Sequence, residues 1–186
     1  TAANTGANEK QLKKLGRAYD RVYVHPQDHA GYYPGATQIS LKLLFDPTSG
    51  VILGAPAIGQ KGVDKRIDVL AIALRAGLTV FDLEEQALCY APPFGSAKDV
   101  VNQAGFVAAN VVRGDLDQCQ GDNVPQCTPD AFLVDVRNPS EIGVLGTIEQ
   151  AKNIPLPKLR ERLHELPKDR TIVVFCAVGL RGYVAY

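Results

Sequence analysis

The stretch at 171–186, TIVVFCAVGLRGYVAY, narrows the possible folds more than any other part of the chain. Thr171, Ile172, Val173, Val174 and Phe175 make a continuous apolar, β-branched run, the pattern of a strand covered on both faces. The run stops at Cys176 and gives way to a loop holding Gly179, Arg181 and Gly182. In open sheets flanked by helices, ligands sit beyond the carboxyl ends of the strands, which is where Cys176 falls. Glycines let such a loop curl so that successive N–H groups converge on one point, a concavity suited to an anion. Arg181 adds a full positive charge, and a helix starting after Gly182 would turn its positive end toward the sulfur. All three favour thiolate over thiol, and the thiolate is the nucleophile. Cys176 is therefore the leading catalytic candidate, set against the blander reading of an inert buried cysteine.

The rest of the composition mainly excludes. A length of 186 residues is enough for one or two domains with proper cores. The formal net charge is zero and 22% of residues are charged, so no global field recruits nucleic acid or an anionic membrane. No apolar run has the length of a membrane span, and no positively charged leader is visible. Cys89, Cys119, Cys127 and Cys176 are spaced irregularly, without a disulfide framework or zinc spacing. A reducing, cytoplasmic setting is the simplest reading, and the first three cysteines have no assignable role. Beginning at Thr1 and lacking methionine, the chain reads as part of a longer polypeptide.

Along the chain, 1–19 is a polar stretch followed by a short charged helix, EKQLKKLG, closed by Gly16. A strand is expected over 21–25, and Tyr32-Tyr33-Pro34-Gly35 signals a turn. Ile39, Leu41, Leu43 and Phe45 recur every second residue, so a strand with one apolar face returns through DPTSG into VILGAPAIG as a hairpin over 37–59. Gly54 within it predicts a bulge or a close backbone approach. Ile67, Leu70, Ala71 and Leu74 then repeat at helical spacing between Gly62 and Gly77. A short strand or turn follows at 78–82, then a helical turn, then the rigid segment CYAPPFGSAKD at 89–99. A last helix is expected to be capped by Ser96, to bury Val100, Ala104, Val107, Ala108 and Val111, and to stop at Gly114. Strands and helices in separate blocks make 1–113 an α+β domain with an antiparallel sheet.

Residues 114–129 lack periodicity and mark a boundary, with a short strand possible at 116–119. Beyond them a strand at 131–136, a turn at Asn138-Pro139, a short strand near 153–155, a helix at 157–166 and the strand at 171–176 alternate as in a parallel α/β unit. Leu159, Leu163 and Leu166 are the expected buried face of that helix, with Arg160, Arg162, His164 and Glu165 at the surface.

This second unit, 114–186, resembles the rhodanese (sulfurtransferase) family through LVDVRNPSE at 133–141, AKNIPL at 151–156 and CAVGLRG at 176–182. The resemblance implies that Cys176 carries sulfane sulfur as a persulfide. The amides of Ala177, Val178, Gly179, Leu180 and Arg181, together with the Arg181 side chain, would form its cradle. Asp135 and Arg137 would be the pair supporting that loop; an ordinary surface ion pair is the blander alternative. Related phosphatases place five residues between cysteine and arginine, whereas four lie between Cys176 and Arg181, which favours sulfur transfer. Thr147 stands where the family often has histidine. By the same comparison, the unit stops short of the family's remaining helix and strand, making it an incomplete α/β rhodanese-like domain.

The first unit, 1–113, resembles the dimerisation domain of the pyridine nucleotide-disulfide oxidoreductases. The segments are TGANEKQLKK, HAGYYPGA, LKLLFD, SGVILGA, GVDKRIDVLA and YAPPFGSAKDVVNQAG, and within the family they point to the CoA-disulfide reductase and NADH oxidase branch. That resemblance implies a homodimer through 1–113. Tyr32 and Tyr90 would lie near the partner subunit's flavin as catalytic groups, Tyr90 also contacting FAD, and Lys98 would approach bound CoA. FAD and NAD(P)H would be held outside this chain, which has no G-x-G-x-x-G after a strand. The implied activity is a CoA-disulfide, CoA-persulfide or polysulfide reductase, with Cys176 delivering sulfur. A non-catalytic dimerisation module and a stand-alone thiosulfate-type sulfurtransferase remain as alternatives.

Overall fold

The computed structural model describes residues 1–121 and 130–186, so Cys127 and half of the aperiodic boundary lie outside the described residues. The chain divides into two units, Thr1–Leu116 and Asp117–Tyr186.

The first unit is a four-stranded antiparallel sheet in the order β1-β4-β3-β2. Its strands are β1 (Ala2–Gly6), β2 (Asp20–Val24), β3 (Ile39–Phe45) and β4 (Ile52–Gly59). The helices are α1 (Glu9–Lys14), α2 (Val63–Arg75), α3 (Val80–Glu84) and α4 (Val100–Arg113). The expected hairpin is present: Ile39, Leu41, Leu43 and Phe45 are buried against Leu70 of α2 and Ala104 and Ala108 of α4 in one core. Helix α2 lies over β1 and β4, and α4 over β2 and β3.

Gly54 makes the close approach that its place in a strand suggested. A Cβ built there would lie 2.0 Å from the Ala7 carbonyl oxygen, and Ala7 N donates to Leu53 O at 2.9 Å. The register with β3 shifts at Leu44/Phe45, so Leu53 is the extra residue of a bulge beside it.

Three expectations change here. The polar start is strand β1, held along β4 by the backbone ladder, with side chains too small and polar to show an alternating pattern. The segment at 78–82 is not a strand but leads into α3, started by a capping box in which Thr79 and Asp82 bond each other's backbone N–H, with Val80 and Leu83 buried. Helix α4 is capped by Asp99, not Ser96: Val101 N donates to the Asp99 carboxylate at 3.2 Å, and Asn102 answers by accepting from Asp99 N.

The second unit is a parallel sheet in the order β6-β5-β7, from β5 (Phe132–Asp135), β6 (Lys152–Asn153) and β7 (Ile172–Phe175). Helices α5 (Pro139–Leu145), α6 (Leu156–Leu159) and α7 (Leu180–Ala185) flank it. Val134, Val136, Ile154 and Leu159 form its core. Asn138-Pro139 is the start of α5 rather than a bare turn: Asn138 is the cap and Pro139 takes the first helical position, where its missing N–H costs nothing. Past Leu159 the expected helix tightens to a 3₁₀ stretch over Arg160–Glu165, with Arg162 at φ −109°. That change of pitch turns Leu163 out to 53% exposure, and Arg162 and Glu165 become a half-buried ion pair rather than solvated charges. Residues 116–119 form no strand.

Replacing Gly54 by alanine should destabilise the first unit by about 1–3 kcal/mol, because backbone rather than a flexible side chain fills the space. Denaturant unfolding of Gly54→Ala beside Gly143→Ala, where a Cβ meets nothing, checks this.

Candidate active site

Cys176 is the first residue after β7, at the carboxyl end of the parallel sheet and half-buried. The strand is tied at this point by Val136 N donating to Phe175 O at 3.0 Å. The chain then turns through Gly179, whose φ of 99° no ordinary side chain adopts easily, and enters α7. The helix therefore begins at Leu180, before Gly182 rather than after it. Gly182 is buried, and a Cβ there would meet Val174 O at 3.4 Å, so α7 packs closely on the strand end.

The turn brings Gly179 N to 3.2 Å from Cys176 Sγ as a hydrogen-bond donor. Burial pushes the Cys176 thiol up, but the N–H groups of Gly182, Val178, Gly179 and Arg181 outweigh it and hold the thiol below its ordinary range. Of the amides expected around the sulfur, those of Val178, Gly179 and Arg181 lower the thiol, and Gly182 adds to them. Ala177 and Leu180 are exposed members of the same turn. The agent is a set of individual amides, since α7 has only six residues.

Arg181 is more constrained than a free charge beside sulfur. Its NH1 and NH2 both donate at 2.6 Å to the two carboxylate oxygens of Glu141 on α5. Glu141 also accepts from Asn138 N at 3.0 Å. The Arg181 guanidinium, with Asn138 N–H adding to it, pulls the Glu141 carboxyl down to about 2. The same carboxylate raises Arg181, with a further contribution from Cys176. Glu141 escaped sequence reading as a site residue; the Asn-Pro-x-Glu capping pattern at 138–141 was the available signal.

Asp135 and Arg137 form a buried pair, not a surface one. Asp135 is fully enclosed and accepts from Arg137 Nε at 2.9 Å and NH2 at 2.6 Å. Thr147 Oγ1 donates to the same carboxylate at 2.7 Å, and Arg137 NH2 donates to Gly146 O at 2.8 Å. Asn153 Nδ2 bridges the carbonyls of Asp135 and Arg137. The pair thereby ties the chain after α5 and the end of β6 to the tip of β5, whose Asp135 lies beside Phe175 in the ladder. Burial pushes the Asp135 carboxyl up, but its bonds from Arg137 and Thr147 prevail and keep it low.

In the first unit, Tyr32 and Tyr90 come together from positions 58 residues apart, their hydroxyls 2.9 Å from each other. Both are exposed, and the bond to Tyr90 raises the Tyr32 phenol above its usual value. Buried Arg66 ties together segments that flank them in sequence. It forks onto Asp99 at 3.2 and 2.6 Å, donates to Asp28 O at 2.6 Å and reaches Gly62 O at 3.2 Å. One guanidinium so joins the segment leading to Tyr32, the start of α2, and the end of the loop that carries Tyr90 and Lys98. Lys98 is exposed, its ammonium 5.5 Å from the centre of the Phe106 ring. Cys89 is exposed and accepts a long contact from Lys65 Nζ at 3.7 Å. Among the described residues no group of three or more His, Cys, Asp or Glu could hold a metal, and no helix is long and apolar enough to cross a membrane.

Residues 1–100 match the pyridine nucleotide-disulphide oxidoreductase dimerisation domain. The chain belongs to that oxidoreductase family. Residues 115–186 match the rhodanese-like domain, so the oxidoreductase segment is followed by a rhodanese-like one. Among curated proteins, this chain is 40% identical over 111 residues to coenzyme A disulfide reductase of Staphylococcus haemolyticus, covering 60% of this chain and 25% of that protein. It is 42% identical over 108 residues to coenzyme A disulfide reductase of Staphylococcus aureus, covering 58% and 24%. Among solved structures, reduced CoADR-RHD of Bacillus anthracis is 48% identical with a TM-score of 0.94, over 99% of this chain and 33% of that one. An NAD-dependent persulfide reductase from A. fulgidus is 39% identical with a TM-score of 0.86, over the same shares. The chain thus spans about a quarter to a third of the length of these relatives. The antiparallel first unit and parallel second unit agree with the expected fold classes.

Replacing Arg66 by methionine strands the buried Asp99 carboxylate and should cost about 3–5 kcal/mol. Denaturant unfolding measures that, and a loss below about 1 kcal/mol would contradict this view of the pair.

Proposed function

We propose that this chain is the C-terminal portion of a homodimeric, FAD- and NAD(P)H-dependent CoA-disulfide or CoA-persulfide (polysulfide) reductase. In this reading Cys176 carries sulfane sulfur to a disulfide-reductase site. The observation that carries it is the Cys176 thiol, lowered by loop amides and next to Arg181, following a dimerisation domain in the same chain.

The residues described do not fit FAD or a nicotinamide cofactor. Neither sheet is followed by the glycine-rich pyrophosphate turn of a dinucleotide fold, and the one loop of converging amides is occupied by the Cys176 sulfur. Those cofactors belong to other domains, where they supply the electron pair that reduces the sulfur species. What this chain supplies is thiol chemistry and acid–base groups. The Cys176 thiolate attacks the outer sulfur of a donor R–S–SH, R–S⁻ leaves with the electron pair of the broken sulfur–sulfur bond, and the N–H groups of Val178, Gly179, Arg181 and Gly182 stabilise negative charge at the Cys176 sulfur. Tyr32 and Tyr90, one hydrogen bond apart, can donate a proton to a departing thiolate at the partner subunit's centre. Lys98, exposed at the end of its loop, suits a phosphate of CoA as a point charge.

In the full-length protein, Cys176→Ser should abolish persulfide loading of the second unit while leaving CoA-disulfide reduction intact; mass spectrometry after treatment with a sulfane-sulfur donor reads the first. Loading that persists without Cys176 removes its role. Tyr90→Phe should lower turnover of CoA disulfide by about a hundredfold with little change in persulfide loading. Steady-state kinetics separate the two.

A further inference from the structure

The second unit places two guanidinium groups at the carboxyl ends of its strands and then cancels both. Arg137 is neutralised by enclosed Asp135, and Arg181 by the two-oxygen fork of Glu141. Glu141 is held from two directions, since Asn138 N–H fixes the oxygen that also receives Arg181 NH1. Its low carboxyl pKa, about 2, keeps it charged wherever the protein works, and Arg137 adds to that effect. The four side chains together carry no net charge. Arg181 keeps a weaker contact with the Cys176 sulfur, so what remains for an incoming sulfur species is mainly the partial charge of the amides, which suits one developing thiolate.

This arrangement discriminates between donors. Thiosulfate brings two negative charges and gains most from a free guanidinium. At its reacting sulfurs a hydropersulfide, R–S–SH, is neutral or singly charged and needs only the amides there. We propose that Glu141 is a specificity-determining positioning residue. By clamping Arg181 and cancelling its charge, it sets the Cys176 loop to accept sulfur from hydropersulfides in preference to thiosulfate. This rests on Cys176 as the sulfur acceptor.

The favoured step balances without a further reagent. The Cys176 thiolate attacks the outer sulfur of R–S–SH, the R–S to S bond breaks, and a sulfur–sulfur bond forms on Cys176. RS⁻ leaves with the electron pair, and the proton stays on the new persulfide, Cys–S–SH. With thiosulfate the same attack would release sulfite and leave Cys–S–S⁻, conserving three negative charges on each side. The loop then has to admit two of those charges beside a neutralised arginine.

The test is donor selectivity in the full-length protein, with glutathione persulfide and thiosulfate as probes. The wild-type protein should show a higher kcat/KM for the persulfide. Glu141→Gln leaves Arg181 unbalanced and should lower KM for thiosulfate by about tenfold, the modest end of what a unit charge is worth near a surface. The persulfide KM should change little, and Glu141→Asp should keep the wild-type preference. A purely structural Glu141 would instead depress kcat for both donors together, and that result, or an unchanged donor ratio, overturns the proposal. Should Glu141→Gln not fold, Arg181→Gln decides: Glu141 is then uncompensated, and thiosulfate KM should rise about tenfold relative to the persulfide. An unchanged ratio there also overturns it. Loss of the underlying reading would appear separately, as persulfide loading that survives Cys176→Ser.

Discussion

A buried arginine forked onto a carboxylate organises each unit. Taking two charges out of water is tolerable only where the geometry is close and the remaining N–H groups find acceptors. That requirement is met at Arg66 by Asp99, Asp28 O and Gly62 O, and at Arg137 by Asp135 and Gly146 O. In both places the spare donors end on backbone carbonyls of loops that have no core of their own. The ion pair therefore transmits the rigidity of helix or sheet to an irregular segment. In the first unit these are the segments around Tyr32 and Tyr90; in the second, the chain between α5 and β6. In each unit an enclosed ion pair holds an irregular segment in place.

Much of this was legible from residue pattern. The alternation of Ile39, Leu41, Leu43 and Phe45 found the central strand, and helical spacing found α2 and α4. The apolar run at 172–175 found β7 and with it the place of Cys176. What failed did so for local reasons. Strand β1 has no side-chain signature because its stability lies in pairing with β4. Thr79 and Asp82 override the β-forming look of their neighbours with reciprocal caps. At Asn138-Pro139 a turn signal and a helix start are the same two residues, and only Glu141 three positions after Asn138 distinguishes them.

The site divided in the same way. Glycine spacing gave the loop and the cysteine, since a converging set of amides needs Gly179 at positive φ. Arg181 was visible as a charge, but not as a charge already spoken for, because its partner lies 40 residues earlier on another helix. Burial of Asp135 and Arg137 was likewise beyond the sequence, where two charged residues beside a strand look like surface. Tyr32 and Tyr90 could be named only through resemblance, since nothing in either local segment announces that their hydroxyls meet.

Thr147 closes the Asp135 network with a hydroxyl in the position where related domains often carry an imidazole. A hydroxyl has no charge to gain or lose near neutrality. Arg137 and Arg181 stay cationic, and Asp135 and Glu141 are both held low. Across the neutral range this polar frame is electrically constant, so a change of pH leaves the charge of the scaffold around the Cys176 loop unaltered.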